Sequence, residues 1–353
     1  MRVRSDYARL LVMGALFAIV FSAASAVAQR FNQTNIVSDI PNLAITTDPK
    51  LKNAWGIAFA PGNPIWIADN GTGLSTLYDG AGNIIPLVVT IPAPAGDDTS
   101  APTGLVINPS DDFVVSNGSA SGSSIFIFDT EDGTIIGWSP GTDMTHGIIA
   151  VPNDHGAIYK GLAIAKTSKG RFLYANDFHN GVVEIYNSKF QLQKTFTDSS
   201  LPPGYAPFGI QNVNGQIFVT FAKQDQLKED EIAGPGLGFV DIFDTDGNLV
   251  RRFASRGKLN APWGLAMAPA TFKRFAGAIL VGNFGDGRIN AFDPNSGKLL
   301  GQLRNNKGEV LVIDGLWAIT PGGGAGTTAD DLLFTAGPDH EEHGLFGKLN
   351  PVP

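Results

Sequence analysis

Apolar runs of four to six residues recur along this chain, separated by turns rich in Gly, Pro, Asn and Asp, and the runs fall into a sixfold repeat. Each unit opens on a residue before a glycine and a short apolar strand: Gly56-Ile-Ala-Phe59, Gly104-Leu-Val-Ile107, Gly161-Leu-Ala-Ile164, Gly209-Ile-Gln-Asn212, Gly264-Leu-Ala-Met267 and Gly315-Leu-Trp-Ala318. A second, continuously apolar strand follows, as in Ile65-Trp-Ile-Ala68, Phe113-Val-Val-Ser116 and Leu332-Leu-Phe-Thr335, the pattern of a strand covered on both faces. A third strand closes on a packing residue and a turn former: Tyr78-Asp79, Phe128-Asp129, Tyr186-Asn187, Phe243-Asp244, Phe292-Asp293 and Leu349-Asn350. The glycines recur every 48 to 57 residues, a propeller-blade period.

The pattern predicts an all-β, six-bladed propeller with four strands per blade and blades at about 53–92, 101–140, 158–198, 206–254, 260–305 and 312–353. The sixth unit runs out of chain before a fourth strand. Thr34 to Asp39 is a spare strand of the right length, so the amino end is expected to complete the last blade.

Residues 1–28 depart from the repeat. Arg2, Arg4 and Arg9 precede an apolar stretch from Leu10 to Phe21 and an Ala26-Val27-Ala28 end, which reads as a secretory signal peptide cleaved before Gln29. The mature protein is then expected to be secreted or periplasmic and free of the membrane. With no cysteine, disulfides and thiolate sites are excluded. Losing Arg2, Arg4, Arg9 and Asp6 moves the formal charge from −8 to −10, a poor balance for binding nucleic acid. A monomer is expected, with a protein, glycan or small molecule as partner.

The repeats resemble the NHL and gluconolactonase/regucalcin group of six-bladed propellers, which likewise open on x-Gly-[Ile/Leu/Val]-Ala. More closely, Asp48-Pro-Lys-Leu-Lys-Asn-Ala-Trp-Gly56, Gly71-Thr-Gly-Leu-Ser-Thr-Leu-Tyr78, Tyr159-Lys-Gly-Leu162 and Gly344-Leu-Phe-Gly347 look like a family of secreted bacterial propellers. The resemblance implies fold and export. It also implies that loops entering the first strand and leaving the second meet at one mouth of the central channel.

On that register Trp55, Asn70, Asn117, Tyr159, Lys160, Phe208 and Trp263 are candidate ligand-binding residues. Trp55, Phe208 and Trp263 either ring the mouth and stack on a flat ligand or pack the blades together. Oxygen donors at the same corners suit a divalent cation, calcium or zinc, with Asn53, Asn176, Asn283, Asp314, Asp339 and His340 as candidate ligands. Asp244-Thr-Asp-Gly-Asn248 mimics an EF-hand start but has Ser255 in place of the bidentate Glu, so a hairpin turn is expected. Two long segments, residues 141–157 and 222–236, are expected to overhang the mouth.

Two functions are compatible with these residues. One is a non-catalytic binding or scaffold module, since no nucleophile elbow, phosphate loop or dinucleotide fingerprint is present. The other, implied by the likeness to lactonases, is a metal-dependent hydrolase of lactonase or esterase type with Asp177 or His179 as base. Lys160 stands before Gly161 where that group carries Asn.

Overall fold

A computed structural model describes residues 29–95 and 99–352; the leader assignment falls on residues 1–28 and lies outside the described residues. Six small antiparallel sheets, each with four strands as its framework, follow one another along the chain as the blades of a propeller. Blade one is typical: Ala54–Ala58 innermost, then Ile65–Asp69, Leu74–Tyr78 and Ile84–Thr90. Burial falls outward along each blade. Second strands such as Ile65–Asp69 and Leu332–Ala336 are buried at every residue, whereas the outer strand Leu192–Phe196 is exposed at all but its last. That gradient is why second strands read as unbroken apolar runs.

The repeated glycine has a packing cause. At five of the six x-Gly dipeptides the inner strand slips register against the second strand, a β-bulge. A Cβ at Gly56, Gly161, Gly209 or Gly264 would land on the backbone carbonyl of Thr103, Phe208, Trp263 or Trp317 in the next blade. The glycines let successive inner strands approach, as the narrow end of a wedge requires.

Two blades depart from the expected register. In blade six the bulge falls at Trp317-Ala318, not at Gly315. Gly315 lies three residues upstream in a turn at φ 63°, accepting a hydrogen bond from the Gly337 N–H. In blade two, Val114–Ser116 pairs only with Ser121–Ser123 in a separate hairpin. The second strand is instead Phe126–Thr130, followed by Ile135–Trp138 and Ile148–Val151, so this blade extends to residue 151 and part of the 141–157 segment is its outer strand. Phe128-Asp129 mimics a turn corner but does not make one. Asp129 is fully buried and accepts from the Gly104 N–H and the Thr103 hydroxyl, tying strand two to the bulge.

The ring closes as expected, with a longer strand than expected. Arg30–Ser38 pairs antiparallel with Leu345–Pro351, placing Phe31 opposite Pro351, Thr34 opposite Lys348 and Ser38 opposite Leu345. Phe31, Ile36 and Val37 are buried, and Phe31 meets Phe272 at a ring separation of 4.7 Å. Beyond the strand, Asp39 accepts from the Gly344 N–H and contacts His343 Nδ1 at 2.9 Å, fixing the loop that leads into the chain's last strand. The other expected hairpin turn holds: Asp244 accepts from the N–H groups of Asp246 and Asn248 and from the Asn248 amide.

Candidate functional site

The mouth of the channel has a closed floor. Trp55 stacks on Trp317 at 3.5 Å, Phe284 stacks on the same indole at 4.0 Å, and Trp263 stands edge-on to both. Phe208 packs against Trp317 and Phe178. Trp55 and Phe208 are buried and spend their faces on Trp317 and Phe178, so packing, not a ligand platform, accounts for them. Below this floor the channel is lined by Ile57, Leu105, Leu162, Ile210, Leu265 and Ile319.

Lys160 stands in the bulge position of blade three beside Trp55, and its side chain is buried with the ammonium 5.5 Å from the Trp55 ring centre. Nζ bonds Glu131 and, at 3.1 Å, Asp230. Burial works against the charged form, but Glu131, Asp230 and Glu231 outweigh it and hold the ammonium above the usual lysine range. Lys160 is therefore a fixed cation and not a nucleophile.

From this cation a polar network runs to the floor. Glu131 accepts from the Asn70 amide at 2.8 Å, Asn70 accepts from Asn53 at 3.0 Å, and Asn53 accepts from the Trp317 indole N–H at 3.0 Å. Asn53 also donates to Glu341 at 2.7 Å. Glu341 is aimed by an unusual loop in which Asp339, His340 and Glu341 all have φ between 56° and 68°, a run of left-handed residues without glycine that the surrounding structure must hold in place. Glu131 of blade two and Asp230 of blade four thus bond one ammonium, and Glu231 of blade four and Glu341 of blade six lie near enough to feel its charge.

Burial sets the titration of two of them. Burial raises Glu231 to about 8, against the pull of Lys160, and burial also raises Glu341, which faces Glu131 and Asp230. The sign follows from the raised value: the folded chain keeps the Glu231 proton to higher pH than the unfolded chain does, so stability falls as pH rises from about 4.5 to about 8. Glu231→Gln is expected to remove that fall. Between pH 5 and 8.5 the wild type should lose roughly 1–2 kcal/mol more than the variant in thermal or urea unfolding, and parallel losses would show Glu231 to be ionised throughout.

Other candidates lie elsewhere. Asp314, displaced by the blade-six register, is an exposed residue accepting from the Asp339 N–H, and Asp339 and His340 are exposed in the same loop. Asn283 donates to the Lys258 carbonyl and Asp286. Asn176 is buried opposite the Lys160-Gly161 bulge, the place where Asp129 and Thr220 hold the bulges of their own blades. Asn117 sits at the tip of the extra hairpin, bonded to the Thr142 carbonyl. Asn53, Asn283 and Asp314 have separate partners, the buried Asn176 amide has none among the described residues, and Glu131 and Asp230 hold Lys160 Nζ where a cation was expected.

Tyr159 and Asp177 belong to a second cluster inside blade three. The Tyr159 and Tyr186 hydroxyls both donate to Glu184 at 2.6 Å, and His155 Nε2 lies 3.0 Å from Glu184 and 3.9 Å from Asp177. Asp177, raised by burial, pairs with His155 and Asn180; His179 Nδ1 is buried without a partner. The expected Asp177–His179 alternatives for a base therefore do not form one pair.

Among the mouth residues, Asn53, Asn70 and Lys160 were legible as candidates, and the 222–236 segment reaches the mouth through Asp230. Glu131 was missed. It reads as part of an outer hairpin turn until Phe126–Thr130 is recognised as a second strand, which moves the following turn to the mouth.

No family model matches the chain. It is 35% identical over 324 residues to the uncharacterized protein R648 of Acanthamoeba polyphaga mimivirus, covering 89% of this chain and 78% of the relative. It is 34% identical to protein L690 of the same virus, covering 89% and 84%. These relatives are viral and say nothing of a bacterial secreted family. Virginiamycin B lyase from Staphylococcus aureus shares the six-bladed fold, with a TM-score of 0.53 and 13% identity over 92% of this chain and 100% of the lyase. At that identity the likeness concerns fold alone.

Proposed function

The chain belongs to the family of the mimivirus proteins R648 and L690, and from its mouth we propose that it is a non-catalytic recognition propeller that captures a cationic group, ammonium or guanidinium, of a partner protein or small ligand. One observation carries the reading: Glu131 and Asp230 bond a single buried ammonium beside an aromatic cluster, and Glu231 and Glu341 lie within the field of the same charge. Lys160 neutralises part of the carboxylate charge and fixes the geometry, while Asp230, whose side chain is 72% exposed, faces solvent. A second cation can approach from that side. Phosphate-bearing partners meet like charge there, which fits the absence of nucleic acid from the expected partners. Export through residues 1–28 and action as a monomer belong to the same proposal.

The hydrolase reading has less support at the mouth, because Lys160 stays protonated and Asn53, Asn283 and Asp314 are engaged apart from one another. The recognition reading is tested with a fluorescent hexalysine peptide titrated against the purified protein. Binding should weaken about tenfold between 50 and 300 mM salt and at least several-fold in an Asp230→Asn, Glu341→Gln double variant. Asp79→Asn and Asp293→Asn, in hairpin turns away from the mouth network, should leave it unchanged. Equal binding of hexaglutamate, or equal loss in both pairs of variants, overturns the proposal.

A further inference from the structure

Blade three holds a group of side chains that the mouth does not use. His155 Nε2, Asp177 and Glu184 each offer one ligand atom, and the three atoms lie within 4.8 Å of one another. We propose that His155, Asp177 and Glu184 bind one divalent transition-metal ion, with zinc as the reference metal.

The donor set fits that class. One imidazole nitrogen with two carboxylate oxygens is a three-ligand set found with zinc and its neighbours, whose N and O bonds of about 2.0–2.2 Å place tetrahedral ligands about 3.4 Å apart. The observed separations of 3.0 Å from His155 Nε2 to Glu184 Oε1 and 3.9 Å to Asp177 Oδ2 bracket that value. Calcium wants six to eight oxygens, and this group supplies two carboxylates and a nitrogen.

The surrounding residues aim the ligands as an outer shell does. Asp154 Oδ1 lies 2.7 Å from His155 Nδ1, which fixes the ring and turns Nε2 inward. The Tyr159 and Tyr186 hydroxyls both occupy Glu184 Oε2, so Oε1 is the oxygen left facing the imidazole. Asn180 donates its N–H to Asp177 Oδ1 and its amide to Oδ2, steadying that carboxylate. Asp177 and Glu184 are buried, whereas the His155 side chain is 35% exposed, so one side of the group opens to solvent for metal entry and a fourth, water ligand. The ion would offset two buried carboxylates that one imidazole covers at present.

The experiment takes the purified full protein, stripped by chelator, and titrates Zn²⁺ by calorimetry, with Mn²⁺ and Ca²⁺ alongside and Co²⁺ followed by its visible absorption. The expected result is one zinc per chain with a dissociation constant in the micromolar range or tighter, a raised thermal midpoint, and a Co²⁺ spectrum of four- or five-coordinate type. His155→Ala should lower zinc affinity at least a hundredfold and Asp154→Asn about tenfold. Glu341→Gln, at the mouth, should leave it unchanged. If His155→Ala does not fold, Glu184→Gln takes its place. No saturable zinc binding at 100 μM, binding indifferent to His155 or Glu184, or tighter binding of Ca²⁺ than Zn²⁺ each overturns the proposal.

Discussion

A chain lacking residues 29–38 is expected to show no cooperative unfolding transition, and a synthetic peptide of that segment should restore one. The segment forms seven residue pairings with Leu345–Pro351 and two with Arg304–Asn305, just beyond the outer strand of blade five. Its removal exposes the last blade's edge and takes Phe31, Ile36 and Val37 out of two apolar clusters. Each such side chain contributes about 1.5–3 kcal/mol by burial alone. Together with the lost pairings this approaches the whole stability of a domain, about 5–15 kcal/mol. A graded control separates closure from general damage. Phe31→Ala, which empties the contact with Phe272, should cost about 3–4 kcal/mol in urea unfolding, whereas Thr34→Ala, half-buried in the same strand, should cost under 1 kcal/mol. A truncated protein that melts within a few degrees of the intact one would show that the ring holds without its zipper.

The closure was legible because it follows from counting strands: the sixth unit lacks an outer strand and the amino end supplies an unassigned one. Hydrophobic runs could not decide the second blade. Phe113 to Val115 satisfies the apolar pattern of a second strand, yet it packs in a side hairpin, and only the buried bonds of Asp129 to Thr103 and Gly104 reveal which strand adjoins the inner one. Blade six misled for the opposite reason. Glycine marks the bulge in five blades, so Gly315 attracted the alignment, while Trp317-Ala318 occupies the position that Trp55-Gly56 and Trp263-Gly264 hold. Reading the tryptophan instead of the glycine would have found it. Both slips acted on the site. One hid Glu131 in an outer turn, and the other raised Asp314 to a ligand. A sequence cannot show that Trp55 spends a face on Trp317 or that Trp263 stands edge-on to both.

Lys160→Met tests the electrostatic centre of the mouth. The substitution keeps an unbranched, flexible chain over Trp55 and removes the charge that Glu131 and Asp230 contact. Breaking a buried pair by removing one partner commonly costs 3–5 kcal/mol. Asp230 is largely exposed and screened by solvent, so about 2–3 kcal/mol at pH 8 is expected in urea unfolding. The dependence on pH comes from the partners. Lys160 has its folded value raised above its ordinary one, so its own contribution is complete throughout the neutral range and is lost only as pH climbs beyond the ordinary lysine value. Without it, Glu231 and Glu341 lose the cation that pulls against their burial, so they take up protons more readily as pH falls. The deficit of Lys160→Met should therefore shrink from pH 8 to pH 5. The vacated place should also admit an external cation: millimolar Ca²⁺ is expected to raise the thermal midpoint of Lys160→Met by several degrees and that of a Lys160→Met, Glu131→Gln variant by much less. The wild type should respond little, because its ammonium already stands there. A Lys160→Met protein with the same deficit at both pH values, or one indifferent to Ca²⁺, would reduce Lys160 to a packing residue and remove the reason for Glu131 and Asp230 to meet on it.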